Sequence, residues 1–370
     1  MPPKPRKQPD WIFLGIVAAI IFFGLIMLTS ASGPNGYEKF GDSFYYIKHQ
    51  LIFGLIPGIA GLVLFMKIPY LKWRDNAFAL LIVSIVLLLL VFIPGIGSEF
   101  GTSRSWISIF GIFSVQPAEI VKLTFLFYLA AWLELRGRSR VSDVYSGFLP
   151  FLLALGSIML LMILQPDIGT MSIIVAMSLV VYFVAGAPLT YIGALLAGGL
   201  VMFGALIKLA PYRAARFTTF LHPELDPQGI GYHINQALLA IGSGGFFGLG
   251  YGHSRQKFQY LPEVFGDSIF AVVAEELGYV LSCVLIVLFV ALMWRGLKIA
   301  MNAPDKFARL VVIGIISWFV IQAFVNIGSM VGILPMTGVP LPFVSYGGTA
   351  LAISLIGIGV ILNISRYCKS

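Results

Sequence analysis

Long apolar runs separated by short polar clusters dominate the chain, and nothing in it shows the alternating pattern of a half-buried strand. Ten stretches, near 11–30, 48–66, 76–94, 118–135, 148–164, 168–186, 189–209, 268–293, 310–330 and 349–365, are apolar almost throughout. Each approaches the length of about 18 residues with which a helix crosses a hydrocarbon core of about 30 Å. The pattern predicts an all-α polytopic membrane protein with ten transmembrane helices, the fifth of them short. The polar intervals are brief except at 210–267, a large excursion, and at 331–348, an uncharged loop rich in proline. We therefore expect one membrane domain over 1–370, with a short tail at 1–10 and no separate soluble domain.

Composition agrees with this. The 370 residues are 59% hydrophobic and 11% charged, with a mean hydropathy of +0.94, too apolar for an ordinary soluble domain. The net charge of +8 would point to nucleic acid in a soluble protein, but here the basic residues sort by loop. Lys4, Arg6, Lys7, Lys67, Lys72, Arg74, Arg136, Arg138, Arg140, Arg295, Lys298, Lys306, Arg309, Arg366 and Lys369 all fall on one side of a ten-span arrangement. The positive-inside bias then places both termini in the cytoplasm and 210–267 outside, with no nucleic-acid partner. The basic start and the following apolar run imitate a signal peptide, but the run is long for one, and we read it as an uncleaved first span. Cys283 and Cys368 offer neither a disulfide framework nor a thiolate metal cluster. The four histidines have no metal-ligand spacing, so a divalent cation of the Mg or Mn type would have to be held weakly by carboxylates; no cofactor is otherwise implied.

Candidate chemistry gathers where polar loops meet apolar helices. Asp267 stands at the start of the eighth span, where the helix N-terminus favours the carboxylate while apolar neighbours disfavour it. That balance suits a general base, and Asp is also a favoured helix cap; the two roles are compatible. Glu275 and Glu276 lie two turns deeper. Helical geometry puts Glu275 about 80° around from Asp267 and Glu276 on the opposite side, making Glu275 the candidate to share its cavity. Structural pairing of both acids with other helices is the competing reading. Glu119 and Lys122 share one face of the fourth span, either as a self-neutralising pair or as a cavity wall, and we expect Lys122 also to meet Glu275. Arg213, Arg216, Arg255 and Lys257, all in the large outer segment, either touch lipid headgroups or grip a pyrophosphate. Asp167, in a tight turn, caps a helix or lines an outer vestibule. The helical spacing of 232–240 fits an interfacial or re-entrant helix, and the glycines of 242–252 permit close backbone approach without forming a nucleotide loop. The 331–348 loop suits a rigid re-entrant plug beside the cavity.

Taken in order, these motifs resemble the SEDS family of bacterial peptidoglycan polymerases, which serve division, rod elongation and sporulation. The resemblance spans nearly the whole chain. It is carried by Arg104-Ser105-Trp106, Gln116-Pro117-Ala118-Glu119 with Lys122, and Gln165-Pro166-Asp167-Ile168-Gly169-Thr170. Tyr212-Arg213 with Arg216, Ala240-Ile241-Gly242-Ser243-Gly244-Gly245 and Tyr260-Leu261-Pro262-Glu263 with Asp267 extend it, as do Glu275-Glu276-Leu277-Gly278 and Pro342-Phe343-Val344-Ser345-Tyr346-Gly347-Gly348. Residues 254–263 look more like the division member than the elongation member. Three features depart from the pattern: Phe265-Gly266 stands where His-Thr usually precedes the aspartate, His233 stands where glutamine is usual, and the Trp106–Gln116 spacing is one residue longer.

The resemblance implies a ten-helix SEDS bundle in the bacterial cytoplasmic membrane and glycosyl transfer that polymerises lipid II on its outer face. Asp267 matches the family's essential aspartate. Joined to the local reading, it would take the proton of the acceptor sugar's 4-hydroxyl as undecaprenyl pyrophosphate leaves. Arg213, Arg216, Arg255 and Lys257, or a weakly held divalent ion, would steady the leaving group; Glu263, Lys122, Glu119, Glu275, Asp167 and Arg104 complete the expected substrate-binding set. Implied partners are lipid II, a class B penicillin-binding protein and division regulators of the FtsQ/FtsB/FtsL type. Two rivals remain, a lipid II flippase and a scaffold without chemistry; the elongation paralogue is a third alternative.

Overall fold

The computed structural model describes residues 8–100, 103–109, 113–209, 219–220, 222 and 229–368. Every one of the ten apolar stretches falls on a helix. We label the helices α1 (Trp11–Phe40), α2 (Tyr45–Lys67), α3 (Leu71–Asp75), α4 (Ala77–Leu90), α5 (Pro117–Val141), α6 (Val144–Leu164), α7 (Ile168–Val184), α8 (Leu189–Leu209), α9 (Ile230–Gly244), α10 (Ile269–Met301), α11 (Lys306–Met330) and α12 (Gly348–Ser365). Among the described residues six of these, α1, α2, α6, α10, α11 and α12, are long and apolar enough to cross a membrane. Helices α4 and α7 and the first part of α8 are apolar but shorter, and α5 carries several charges. The chain departs from the all-helical expectation in one place. Residues Gly97–Phe100 (β1), Ser103–Ile109 (β2) and Phe113–Val115 (β3) form a small antiparallel sheet in the order β1-β2-β3. Cross-strand pairing such as Ser98 with Trp106 and Ile107 with Val115 gives these backbone groups partners between α4 and α5.

Polar cross-links sort the helix ends. Asp10 caps α1 and pairs with Arg295 at 2.9 Å; Lys306 donates to the Leu133 carbonyl at 3.2 Å; Tyr70 donates to Asp305 at 2.5 Å; Arg366 donates to the Met66 carbonyl at 3.4 Å. These bonds gather the basic ends of α2, α5, α10, α11 and α12 together at one end of the bundle. The opposite end holds Gln116, whose amide donates to Asp167 at 3.0 Å, and Tyr346, whose hydroxyl lies 2.9 Å from His49 Nδ1. Small residues set the close crossing of α2 on α12. A Cβ on Gly58 would come within 3.1 Å of Ala352 Cα, and one on Gly359 within 2.5 Å of the Leu62 carbonyl, the close approach expected where helices pack without a hydrophobic driving force.

Helix α10 is broken. Gly278 has φ 74° and ψ −175°, so the segment carrying Glu275 and Glu276 is offset from the long run that follows. The glycine-rich turns of 245–252 lie against this break. Leu249 N–H donates to the Glu275 carbonyl at 2.9 Å and Gly250 N–H to the Glu276 carbonyl at 3.0 Å, while Tyr279 N–H donates to the Gly245 carbonyl at 2.9 Å. The carbonyls freed by the break are thus satisfied inside the protein, the condition on which irregular backbone persists at membrane depth. A side chain at Gly278 would overlap Gly248 N and come within 2.6 Å of the Phe246 carbonyl. Gly278→Ala is therefore expected to destabilise the protein by more than about 2 kcal/mol, the left-handed backbone adding about 1–3 kcal/mol to the clash. Thermal unfolding in detergent measures this, and an unchanged midpoint would contradict it.

Candidate active site

The site is built at the end of the bundle opposite the basic cluster, around the turn that leads into α10. Asp267 is half-buried, one residue before the helix N-cap. The N-cap is Ser268, so the expectation that Asp267 caps α10 is corrected: the cap position lies one residue later, and Ser268 itself makes no capping side-chain bond. The Asp267 backbone is held from α11. Asn326 Nδ2, fully buried on α11, donates to the Asp267 carbonyl at 2.7 Å and to the Val339 carbonyl at 2.9 Å. Gly338 faces the carboxylate; a Cβ there would lie 4.0 Å from Asp267 Oδ2. On its other flank Ser268 Oγ donates to Asp267 Oδ1 at 3.4 Å and lies 2.6 Å from His233 Nε2 on α9.

The wall of the site is the segment 331–347. It is held from three helices. Gln322 of α11 donates to the Pro340 carbonyl at 2.8 Å, and Gln50 of α2 accepts from Gly347 N–H at 2.9 Å. Gly169, at the start of α7, lets the Thr337 carbonyl approach to 2.5 Å of where its Cβ would stand. Tyr346 N–H donates to the Phe265 carbonyl at 2.8 Å, tying the wall directly to the Asp267 turn. Phe265, the residue that departs from the family pattern, stacks on Tyr46 at 4.2 Å and meets Tyr346 edge-on at 5.7 Å. Burial pushes the Tyr346 phenol above its usual range, so it stays a neutral O–H toward His49.

Behind the wall lies an ion pair. Lys122 Nζ is 2.7 Å from Glu119 Oε1 and both side chains are almost wholly buried. Its other contacts are Gln322 Oε1 at 2.9 Å and the Trp318 ring at 4.5 Å. Lys122 therefore does not meet Glu275, as the sequence suggested; a partner three residues away satisfies it, and Gln322 passes the constraint on to the wall. Asp167 acts as a cap, its Oδ1 accepting from Thr170 N–H at 3.1 Å while its other oxygen binds Gln116.

Glu275 and Glu276 both point into the 252–257 turn. Glu275 accepts from the Ser254 hydroxyl and from Arg255 N–H at 2.9 Å. Glu276 accepts from Gly252 N–H at 3.0 Å and Ser254 N–H at 3.2 Å, and pairs with Lys257 Nζ at 2.8 Å. Lys257 Nζ also donates to Ser30 Oγ at 2.9 Å and to the Gly252 carbonyl at 2.8 Å. This corrects two expectations. Glu275 does not share the Asp267 cavity, and Lys257, 4% exposed with its three protons used, is part of the scaffold rather than a pyrophosphate grip. Helical angles missed this because Asp267 precedes the helix, whose N-cap is Ser268, and because the partners come from the 252–257 turn, which a projection of the helix alone does not contain.

Of the remaining candidates, Arg255 and Glu263 are exposed on the turn between the glycine-rich stretch and Asp267. Arg104 lies on β2, its side chain outside the described residues; Arg213 and Arg216 fall outside them entirely. The sequence reading passed over Gln322, Asn326 and Ser268. The first two are amides four residues apart on one apolar helix, and that spacing was the available signal. Among the described residues no three His, Cys, Asp or Glu side chains converge. No step below runs through a divalent ion.

Comparisons with known proteins follow this architecture. The family profile FTSW_RODA_SPOVE, described as a cell cycle protein, matches residues 10–370. The chain is 42% identical over 364 residues to stage V sporulation protein E of Bacillus subtilis, covering 98% of this chain and 99% of that one. It is 40% identical over 371 residues to the probable peptidoglycan glycosyltransferase FtsW of Trichlorobacter lovleyi, covering 99% and 96%. Among solved structures it is similar to a chain of a peptidoglycan synthase complex that coordinates polymerization and crosslinking, with TM-score 0.81, 29% identity and 97% and 98% coverage. The rod shape determining protein RodA of Thermus thermophilus matches with TM-score 0.72, 29% identity and 98% coverage of each chain.

Proposed function

The chain belongs to the FtsW/RodA/SpoVE family of cell cycle proteins, and from that premise we propose that it is a membrane-embedded peptidoglycan glycosyltransferase that polymerises lipid II. Relatives named as probable peptidoglycan glycosyltransferases match it over nearly its full length. The observation that carries the mechanism is the placement of Asp267: a half-buried carboxylate at the bundle's end, its backbone locked by Asn326 and its side chain not consumed as a helix cap. A base needs that combination, fixed in position yet within reach of an incoming hydroxyl.

In the proposed step the 4-hydroxyl of the acceptor sugar loses its proton to Asp267 while its oxygen forms the bond to the donor's anomeric carbon. The bond from that carbon to the phosphate oxygen breaks, and undecaprenyl pyrophosphate leaves with the electron pair. Developing charge on the diphosphate calls for cationic donors. Arg255, exposed on the adjacent turn, is suited to this role, with Arg213 and Arg216 the further candidates. Lys122, Glu119, Glu275 and Glu276 are engaged in ion pairs and backbone bonds, which supports an enzyme over a lipid II flippase, whose polar route would need such groups available to a moving headgroup.

The proposal places the Asp267 end on the outer face of the cytoplasmic membrane, with both termini inside, because the basic helix ends collect at the other end. It assigns the protein to septal synthesis, following the character of residues 254–263. A class B penicillin-binding protein and regulators of the FtsQ/FtsB/FtsL type are then its partners. Purified protein with its partner, given lipid II in detergent, is expected to produce glycan ladders. Movement of lipid II in vesicles without ladders would support the flippase instead, and the transpeptidase that co-purifies from native membranes identifies the pathway.

A further inference from the structure

Ser268 occupies the N-cap of α10 and is fully buried, yet its hydroxyl makes no capping bond. Serine at an N-cap normally spends its side chain on the helix's own N–H groups. Here the oxygen is diverted sideways, 2.6 Å from His233 Nε2 and 3.4 Å from Asp267 Oδ1. A hydroxyl carries one proton. Donated to the Asp267 carboxylate, that proton leaves the oxygen to accept, so the imidazole presents Nε2–H. Three residues from two helices and a turn thereby form one directed chain, from His233 through Ser268 to the carboxylate.

We propose that His233 is a positioning residue for the glycosyl-transfer base, orienting the Asp267 carboxylate through Ser268 Oγ. Engaging Oδ1 fixes the rotation of the carboxylate and with it the direction of Oδ2, which lies beside Gly338. The 3.4 Å contact is long for an O–H to carboxylate bond, as such contacts often are without substrate, and it shortens when the acceptor arrives. The proposal rests on the reading of Asp267 as the base. Glu275 and Glu276 of α10 are turned to the 252–257 turn. Lys306 and Arg309 of α11 sit at its far end, Glu263 is exposed on the turn before Asp267 and Tyr232 neighbours His233 on α9. Arg213, Arg216, Glu224 and Asp226 lie outside the described residues.

The test measures lipid II polymerisation by the full-length protein with its partner, from about pH 5 to 8, the range where imidazole titrates. His233→Ala and Ser268→Ala are each expected to lower kcat roughly 10-fold or more, with KM for lipid II within about twofold, because orientation acts in the transition state. The double variant is expected to be no slower than either single, since the two act as one unit. His233→Gln, whose amide N–H2 donates to the same hydroxyl, is expected to restore kcat while removing an imidazole ionisation from the pH profile. Single variants with normal kcat, losses that multiply in the double, or a His233→Gln profile identical to the parent's would each overturn the proposal. If His233→Ala fails to fold, the His233→Gln profile decides. An Asp267→Asn control separates the two readings: an active control removes the base itself, whereas an inactive control beside unaffected His233 and Ser268 variants removes only this chain.

Discussion

Asp267→Ala is expected to reduce glycan-ladder formation by about 100- to 10,000-fold, the range associated with a positioned general base, while leaving the fold intact. The separation of the two effects follows from the geometry. Capping residues typically contribute about 1 kcal/mol, but the N-cap position of α10 is Ser268 and not Asp267, and the Asp267 carbonyl bond to Asn326 is kept by the substitution. Asn326 thus continues to bind the turn in the variant. Thermal unfolding close to that of the parent, together with abolished polymerisation, is the expected pair of results. Asp267→Asn sharpens the comparison, since it preserves shape and removes only basicity. Normal polymerisation by either well-folded variant would end the assignment.

The second large effect concerns stability. Glu276→Ala should destabilise the protein by about 3–5 kcal/mol, because it leaves Lys257 buried without its carboxylate. Lys257 is 4% exposed and Glu276 is fully buried, so solvent cannot take over the lost partner. The same substitution strips acceptors from Gly252 N–H, Ser254 N–H and the Ser30 hydroxyl, releasing the turn that presents Arg255. A Lys257→Met, Glu276→Leu double substitution should recover much of the loss, since replacing both charges removes the desolvation cost along with the attraction. Thermal unfolding in detergent checks both. If Lys257 instead gripped pyrophosphate, Lys257→Met would raise KM for lipid II and leave unfolding unchanged, and that outcome would overturn the scaffold assignment.

The helices were legible because a membrane span is written locally: each of the ten apolar stretches is a helix, whatever its neighbours do. Asp267 was legible for a similar reason, as an acid where a polar stretch enters an apolar one. Partnership was not. Lys122 and Gln322 are separated by 200 positions, and no local pattern announces that an amide will meet an ammonium. The proposed Lys122–Glu275 pair treated both as charges in need of a partner, yet each found one closer in sequence, Glu119 for the lysine and the Ser254–Arg255 turn for the acid. Helical projection related the two glutamates only to Asp267, which lies before the helix, and could not foresee the 252–257 turn that takes up both of them. The β-meander between α4 and α5 escaped because its strands are short and weakly patterned, so pairing rather than periodicity defines them.

The interruption at Gly278 has a mechanical consequence. A rod that spans a bilayer tilts when lipid thickness changes, at a cost of only fractions of a kcal/mol per ångström of mismatch. With an unbroken rod, every such tilt would swing the reactive carboxylate through an arc. Here the turns before Gly278 are latched to the 245–256 stretch and to Asn326, and Tyr279 N–H ties the start of the following run to Gly245. The aim of the carboxylate is therefore set by a clasp of backbone on both sides of the break and not by the tilt of a single rod.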